Sequence, residues 1–496
     1  MSTPDPSRTA PDPSTTAPDG STTAPDGRST TAPDGSTTAP DGRSTTAPAR
    51  PGQPRTWYHA EYAWLPDRPK PDADVLIELA RGRFTEVTPG VAVPPPESRR
   101  LSGLTLPGLA NAHSHAFHRA LRGRSQGGRG DFWDWRRTMY AVAARLDPES
   151  YLALARATYA EMALAGITCV GEFHYLHHAP EGVRYADPNA MSAALVEAAA
   201  QAGIRLTLLD TCYLTASVHG EPLTGPQLRF GDGDAARWAE RAASFAPAGP
   251  HARVGAAIHS VRAVPADQLA EVAGWAAGRG APLHVHLSEQ PAENEACLAY
   301  HGTTPTGLLA GAGALGPGTT AVHATHLTDA DRAALGVSGT GVCLCPTTER
   351  DLADGIGPAR ELADAGSPIS LGSDSHAVVD LFEETRAMEL DARLSTLARG
   401  HFAPAELLRA ATATGHAALG WPDAGRLAPG GRADLVTVRL DSARTAGVPP
   451  AGLFFAAGAA DVTDVLVDGR EVVRDGRHGT LDVPAELTAA IRAVTG

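Results

Sequence analysis

From Leu106 to Ser375 the chain repeats one pattern. A short apolar run stops at a polar residue, and an alanine-rich stretch with helical spacing often follows. The runs are Leu106–His115, Thr168–His174, Arg205–Tyr213, Arg253–Ser260, Pro282–Glu289, Thr320–His326, Gly341–Pro346 and Pro368–Ser375. Near-continuous apolar runs of this length read as strands covered on both faces. Pro148–Ala165, Ala190–Ala202 and Pro265–Gly278 read as helices between them. Eight such units over about 310 residues predict a (β/α)8 TIM barrel. A doubly wound open sheet is the competing arrangement, but no G-x-G-x-x-G opens the first helix after its strand.

Both flanks change character. Residues 57–65, 75–80 and 83–87 read as short strands, as do Ala433–Leu440 and Val462–Arg474, the last with a hairpin turn at Asp468-Gly469. They predict a small β-sandwich-like domain assembled from residues 57–108 and 422–496, around a barrel of residues 109–421. Before it, residues 1–56 repeat S-T-T-A-P-D-G, with arginines inserted at Arg28 and Arg43. Proline recurs in every unit and nothing larger than alanine is apolar, so the segment is expected to be disordered.

Composition narrows the function. The formal net charge of -14 offers no basic tract for nucleic acid. No apolar run approaches the ~20 residues of a membrane span, and no apolar signal-peptide core opens the chain. Cys169, Cys212, Cys297, Cys343 and Cys345 are scattered without a C-x-x-C pair. Free, buried thiols and a cytoplasmic location are the expectation.

The candidate chemistry lies where the predicted strands end. His113 and His115 leave the first strand two residues apart and so on one face, which suits a divalent metal. His174 follows on the second strand and His259 on the fourth. His284, His286 and Glu289 mark the fifth, His323 and His326 the sixth, and Asp374 with His376 the eighth. Barrel enzymes keep their catalytic groups at that end of the strands. A single strand-end histidine is more often structural, whereas so many point to a metal site.

The motifs P-G-L-A-N-A-H-S-H, H-V-H-L-S-E-Q, A-V-H-A-T-H and L-G-S-D-S-H resemble those of the amidohydrolase superfamily, in particular its mononuclear deaminases. Within it, G-E-F-H-Y-L-H-H (171–178), A-I-H-S-V-R-A-V (257–264) and F-W-D-W-R (132–136) resemble the formimidoylglutamate deiminase family. The resemblance runs from Trp57 to the C-terminus. It implies hydrolysis of N-formimino-L-glutamate to N-formyl-L-glutamate and ammonia, a step of histidine degradation. It also implies His113, His115, His286 and Asp374 as metal ligands. Binuclear relatives carry a carboxylated lysine at the end of the fourth strand. Here that end reads H-S-V-R, so one Zn2+ per chain is expected, with iron or manganese as other divalent occupants. Cys343-Leu344-Cys345-Pro346 lacks the order of the P-C-x-x-C deaminase signature and reads as strand packing.

By the same resemblance, Asp374 accepts a proton from metal-activated water and His323 stabilises developing charge. Glu289 protonates the leaving nitrogen. From the residues alone, Glu289 also suits a first-turn helix position, and His323 a backbone contact. Arg262, Arg136, Tyr175 and His259 are assigned to the substrate, whose carboxylates a forked guanidinium recognises. Arg136 also has Asp131 and Asp134 as possible partners, and Arg262 suits packing on the rim. One position departs from the pattern: the family reads A-F-Q-R where this chain has A-F-H-R. His118 can donate to a carboxylate there, or reshape the pocket toward a related imidoyl or guanidino acid.

Two other functions compete: a deaminase of a purine, pterin or triazine ring, and a non-catalytic metal-binding barrel. The partner expected is a small dicarboxylate, with neither nucleic acid nor membrane, and the superfamily leans toward homodimers. The repeat tail generates a direct test. Deleting residues 1–50 is expected to leave activity and melting temperature unchanged, because the repeat buries no apolar surface. A large loss of rate or folded yield would show that the tail docks.

Overall fold

The computed structural model describes residues 55–127 and 132–496, with backbone only for 132–134. The repeat tail and Asp131 lie outside the described residues. Two eight-stranded sheets organise the rest. One carries β1 (Thr56–Ala63), β2 (Asp72–Ala80), β3 (Arg83–Thr88) and β4 (Arg99–Pro107). The barrel strands are β5 (Leu109–Ser114), β6 (Ile167–His174), β7 (Arg205–Cys212), β8 (Ala252–Ile258), β9 (Leu283–Leu287), β10 (Thr319–His323), β11 (Gly341–Leu344) and β12 (Ile369–Leu371). The chain then returns to the first sheet as β13 (Leu435–Val438), β14 (Val462–Val467), β15 (Arg470–Arg474) and β16 (Arg477–His478).

All eight expected barrel strands are present. They pair in parallel and in sequence order from β5 to β12, a nearly closed (β/α)8 barrel. The seam between β12 and β5 has no extended ladder, only the parallel bridge Ser114↔Asp374. Asp374 N donates to the His113 carbonyl (3.0 Å) and His115 N to the Asp374 carbonyl (3.2 Å). Asn111 reinforces it, donating to Ser373 Oγ (2.7 Å) and accepting from Ser373 N (2.9 Å). Gly372 permits this approach, since a Cβ there would sit 2.8 Å from His113 Cβ.

One expectation is corrected. Leu106–His115 is not one strand: the run is cut at Gly108, with β4 in the flanking sheet and β5 in the barrel. A Cβ at Gly108 would lie 2.4 Å from Thr168 Oγ1 and 2.8 Å from Asp434 Cβ, so only glycine lets the chain cross between the sheets here. The flanking sheet takes strands from both chain ends, with β13 antiparallel to β4. The turn at Asp468-Gly469 has positive φ at both residues (47° and 72°), as a two-residue hairpin of this type requires. Among the described residues no helix is long and apolar enough to cross a membrane.

A buried ion pair joins the two sheets. Arg205, which opens β7, meets the carboxylate of Asp434 just before β13, and both are almost fully buried. Burial works against the Asp434 charge, but Arg205 outweighs it and holds the carboxyl below its usual range. Asp434 Oδ1 also accepts from Asp468 N (2.8 Å), and its carbonyl from Gly108 N (3.1 Å). Arg205→Met would leave that carboxylate buried without its cation. The expected loss is about 3–5 kcal/mol of unfolding free energy, measured by urea titration. Replacing both partners, Arg205→Met with Asp434→Leu, is expected to cost less.

Candidate metal centre and active site

His113 and His115 are delivered by the end of β5, His286 by β9, and Asp374 by the turn after β12. All four are buried. His115 donates its Nδ1 proton to the Phe173 carbonyl (3.0 Å) and His286 to the His259 carbonyl (2.9 Å). That fixes both tautomers and leaves an Nε2 lone pair on each ring free for a metal. His286 Nε2 lies 3.2 Å from His113 Nε2, while Asp374 Oδ1 lies 3.3 Å from His113 Nε2 and 3.4 Å from His115 Nε2. A tetrahedron with bonds of about 2.1 Å has donor–donor edges of about 3.4 Å. The donor set therefore fits a divalent cation in both spacing and chemistry.

The electrostatics divide the imidazoles into two kinds. Burial, then the neighbouring His113, lowers His115 to about 3, and the same causes hold His286 well below the usual histidine range. These rings stay neutral and can donate lone pairs. His323 differs. Burial opposes its charge, but Glu289, Glu349 and Asp374 surround it and hold its imidazolium well above the usual range. Its Nε2 lies 3.8 Å from both Glu289 and Asp374, and its Nδ1 lies 3.4 Å from Glu349. Burial also opposes the Asp374 charge, but His113 and His323 outweigh it and depress that carboxyl.

The backbone is bent to present these groups. His323, Ala324 and Asp374 all have positive φ (68°, 51° and 41°), and so does His376 (57°). Non-glycine residues adopt this conformation at a cost, and such positions concentrate at functional sites.

A pocket opens onto the cluster. His115, His286, Glu289, His323 and Asp374 line it toward the cation donors. Arg136, Tyr175, His259, Arg262 and His118 line the remainder, so every expected site residue faces this pocket except His113, which is buried behind it. Arg136 donates from Nε to Tyr140 Oη (2.7 Å) and approaches Tyr213 Oη at 3.4 Å. Arg262 Nε is buried without a hydrogen-bond partner. Burial disfavours the Arg262 charge, but Glu293 and Glu289 offset this and raise its pKa. His118 Nε2 meets Tyr175 Oη at 3.1 Å, and burial, then His115, holds the ring well below the usual histidine range.

Other strand-end histidines lie apart from the cluster. His174 is buried beside His177, and His284 bonds the Ala418 carbonyl (3.1 Å). His326 bonds the Asp354 carbonyl (2.7 Å), and His376 lies between Ser114 and Ser373. Cys343 and Cys345 pack with Ala112 and Val322, as expected.

The sequence reading missed several residues. Tyr213 closes the predicted Arg205–Tyr213 run, so its strand-end position was an available signal. Glu349 lies in the helix Pro346–Asp351 and orients His323, while Tyr140 lies in the helix Phe132–Ala143. Glu172, on β6, accepts from Ser114 Oγ (2.9 Å) and Ala116 N (2.7 Å), steadying the H-x-H segment from behind. Burial raises it to about 7.

The family model described as the amidohydrolase family matches residues 104–472. The chain is 40% identical over 423 residues to formimidoylglutamate deiminase of Pseudomonas aeruginosa, covering 82% of this chain and 92% of that one. It is 33% identical to 8-oxoguanine deaminase of the same organism, over 79% of this chain and 86% of that one. A crystal structure of an adenosine deaminase from Xanthomonas campestris with bound zinc superposes with a TM-score of 0.75 at 26% identity. It spans 88% of this chain and 97% of that one.

Proposed function

The chain belongs to the amidohydrolase family and is a hydrolase of carbon–nitrogen bonds other than peptide bonds, and on that premise we propose that it deiminates N-formimino-L-glutamate to N-formyl-L-glutamate and ammonia. The observation that carries this reading is the pair of guanidiniums in the pocket. Arg262 has a buried Nε without a partner, and Arg136 is set between two phenols. A substrate with two carboxylates supplies the anions such forks recognise. Tyr175 and His259 stand beside them, their rings 5.5 Å apart.

The residues fit one divalent ion, zinc by preference, held by His113, His115, His286 and Asp374. When bound, it lowers the pKa of water toward neutrality and polarises the imidoyl group. Asp374 takes the proton from the attacking water as a C–O bond forms at the imidoyl carbon. His323, cationic between three carboxylates, steadies the negative charge that develops beside it. Glu289 delivers one proton to the terminal nitrogen and Asp374 passes on the one it took from water; as the new hydroxyl returns its own proton to Glu289, the C–N bond breaks and ammonia leaves with the N-formyl group behind. Glu349 fixes the ring plane of His323. The reaction consumes one water and needs no oxidant or reductant.

The resemblance to 8-oxoguanine deaminase, together with Tyr140, Tyr175, Tyr213 and Phe230 along the pocket, favours a planar ring as the second reading. Two guanidiniums weigh against a neutral one.

Purified protein is expected to hold about one divalent ion per chain by elemental analysis, and Asp374→Asn is expected to abolish turnover. Two tightly held ions would overturn the single-metal reading. Arg262→Met is expected to keep its metal and lose about thirtyfold to several thousandfold in kcat/KM on formiminoglutamate, or about 2–5 kcal/mol. Normal turnover by that variant, or wild-type preference for a neutral ring, would defeat the substrate assignment.

A further inference from the structure

Asp354 stands behind the pocket wall. Leu352 lines the pocket, whereas Asp354, two residues on, is buried and does not. It bonds three strand-end segments at once. Its N–H donates to the Glu349 carbonyl (2.9 Å), in the helix after β11, and its own carbonyl accepts from His326 Nε2 (2.7 Å), past β10. Its Oδ1 accepts from Gln290 Nε2, past β9. Gln290 directly follows Glu289, and Glu349 meets Nδ1 of His323. One residue thus joins the segment carrying the proposed acid to the one that orients His323.

Glu289 sits in a turn that needs holding. Ser288 before it has positive φ (51°), and the Ser288 carbonyl accepts from His326 N (3.0 Å). Gln290 occupies the N-cap position of the helix Pro291–His301, yet its side chain makes no capping bond there. It reaches Asp354 instead. The Asp354 carboxyl suits this task as a neutral group. Its Oδ2 is buried without a hydrogen-bond partner, which costs a charged oxygen far more than a neutral one. Burial, then the nearby Glu289, raises the carboxyl to about 8. A neutral acid keeps Oδ1 as an acceptor for Gln290 and adds no negative charge near Glu289.

We propose that Asp354 is a positioning residue for deimination: through Gln290 it fixes the turn 288–290, and so sets the carboxyl of Glu289 against His323 and the substrate nitrogen. It belongs neither to the pocket lining nor to the cation donors. The inference rests on the proposed function, in which Glu289 is the acid.

The test measures ammonia release from N-formimino-L-glutamate by full-length, zinc-loaded protein. Wild type is compared with Asp354→Ala, Asp354→Asn, Gln290→Met, Glu289→Gln and the double variant Glu289→Gln with Asp354→Ala, each checked for folding by circular dichroism. Asp354→Ala and Gln290→Met are each expected to lower kcat about 10–100-fold with KM and zinc content little changed, the scale set by a small displacement of reacting groups. Asp354→Asn keeps a neutral acceptor for Gln290 and is expected to recover most of that loss. In the double variant the loss from Asp354 is expected to vanish, because the residue acts through Glu289. Should Asp354→Ala fail to fold, Gln290→Met breaks the same bond from the other side and decides alone. Wild-type kcat in Gln290→Met or in folded Asp354→Ala would overturn the proposal. Losses that multiply in the double variant, or an Asn variant as slow as the Ala one, would also overturn it. Wild type that releases no ammonia from formiminoglutamate, or Glu289→Gln at full rate, would instead defeat the proposed function, and the inference with it.

Discussion

The closure of the barrel and the gathering of its cation donors are one event. Elsewhere around the barrel, neighbouring strands are joined by parallel ladders, but β12 meets β5 through the single bridge Ser114↔Asp374. The backbone groups that make it belong to His113, His115 and Asp374, whose side chains form most of the donor cluster. Asn111 and Gly372 act on the same joint, one by reciprocal hydrogen bonds to Ser373 and the other by having no side chain. Misplacing the seam would misplace three donors at once. The first and last strands thus meet where the chemistry is, and a cation held there would tie β5, β9 and the end of β12 together.

Around that joint, burial does opposite things to residues of one type. It holds His115 and His286 neutral, because the neighbouring His113 adds to the cost of charging them and Asp374 does not offset it at His115. His323 is as deeply buried, yet three carboxylates reverse the outcome. Lone-pair donation and charge stabilisation are therefore assigned to different histidines by their surroundings. The pocket repeats this separation on a larger scale, with acids near the cation donors and two guanidiniums among phenols beyond.

Much of this was legible in the sequence because strands write their ends plainly. Eight apolar runs stopping at polar residues located the barrel, and the i, i+2 spacing put His113 and His115 on one face. The direction of side chains just past a strand was not legible. His326 and His376 sit in the same motifs as His323 and Asp374 but turn to Asp354 and to two serines. That outcome is set by turns of positive φ, which local pattern does not encode. Glu349 and Tyr140 were hidden because each reaches the site from a helix, where only tertiary packing decides which face looks inward. The break at Gly108 was hidden by composition, since an apolar run reads alike whether it serves one sheet or two.

The left-handed backbone at His323, Ala324 and Asp374 has an evolutionary consequence. Each such residue carries a conformational cost of about 1 kcal/mol or more that glycine would largely avoid. On the proposed mechanism, the amino acid that would relax the chain at positions 323 and 374 is one that would abolish the chemistry. Mutation alone would drift these sites toward a calmer, inert barrel, and only selection for turnover opposes that drift. Homologues that have lost activity should be recognisable by relaxation at these turns before any change in the apolar core.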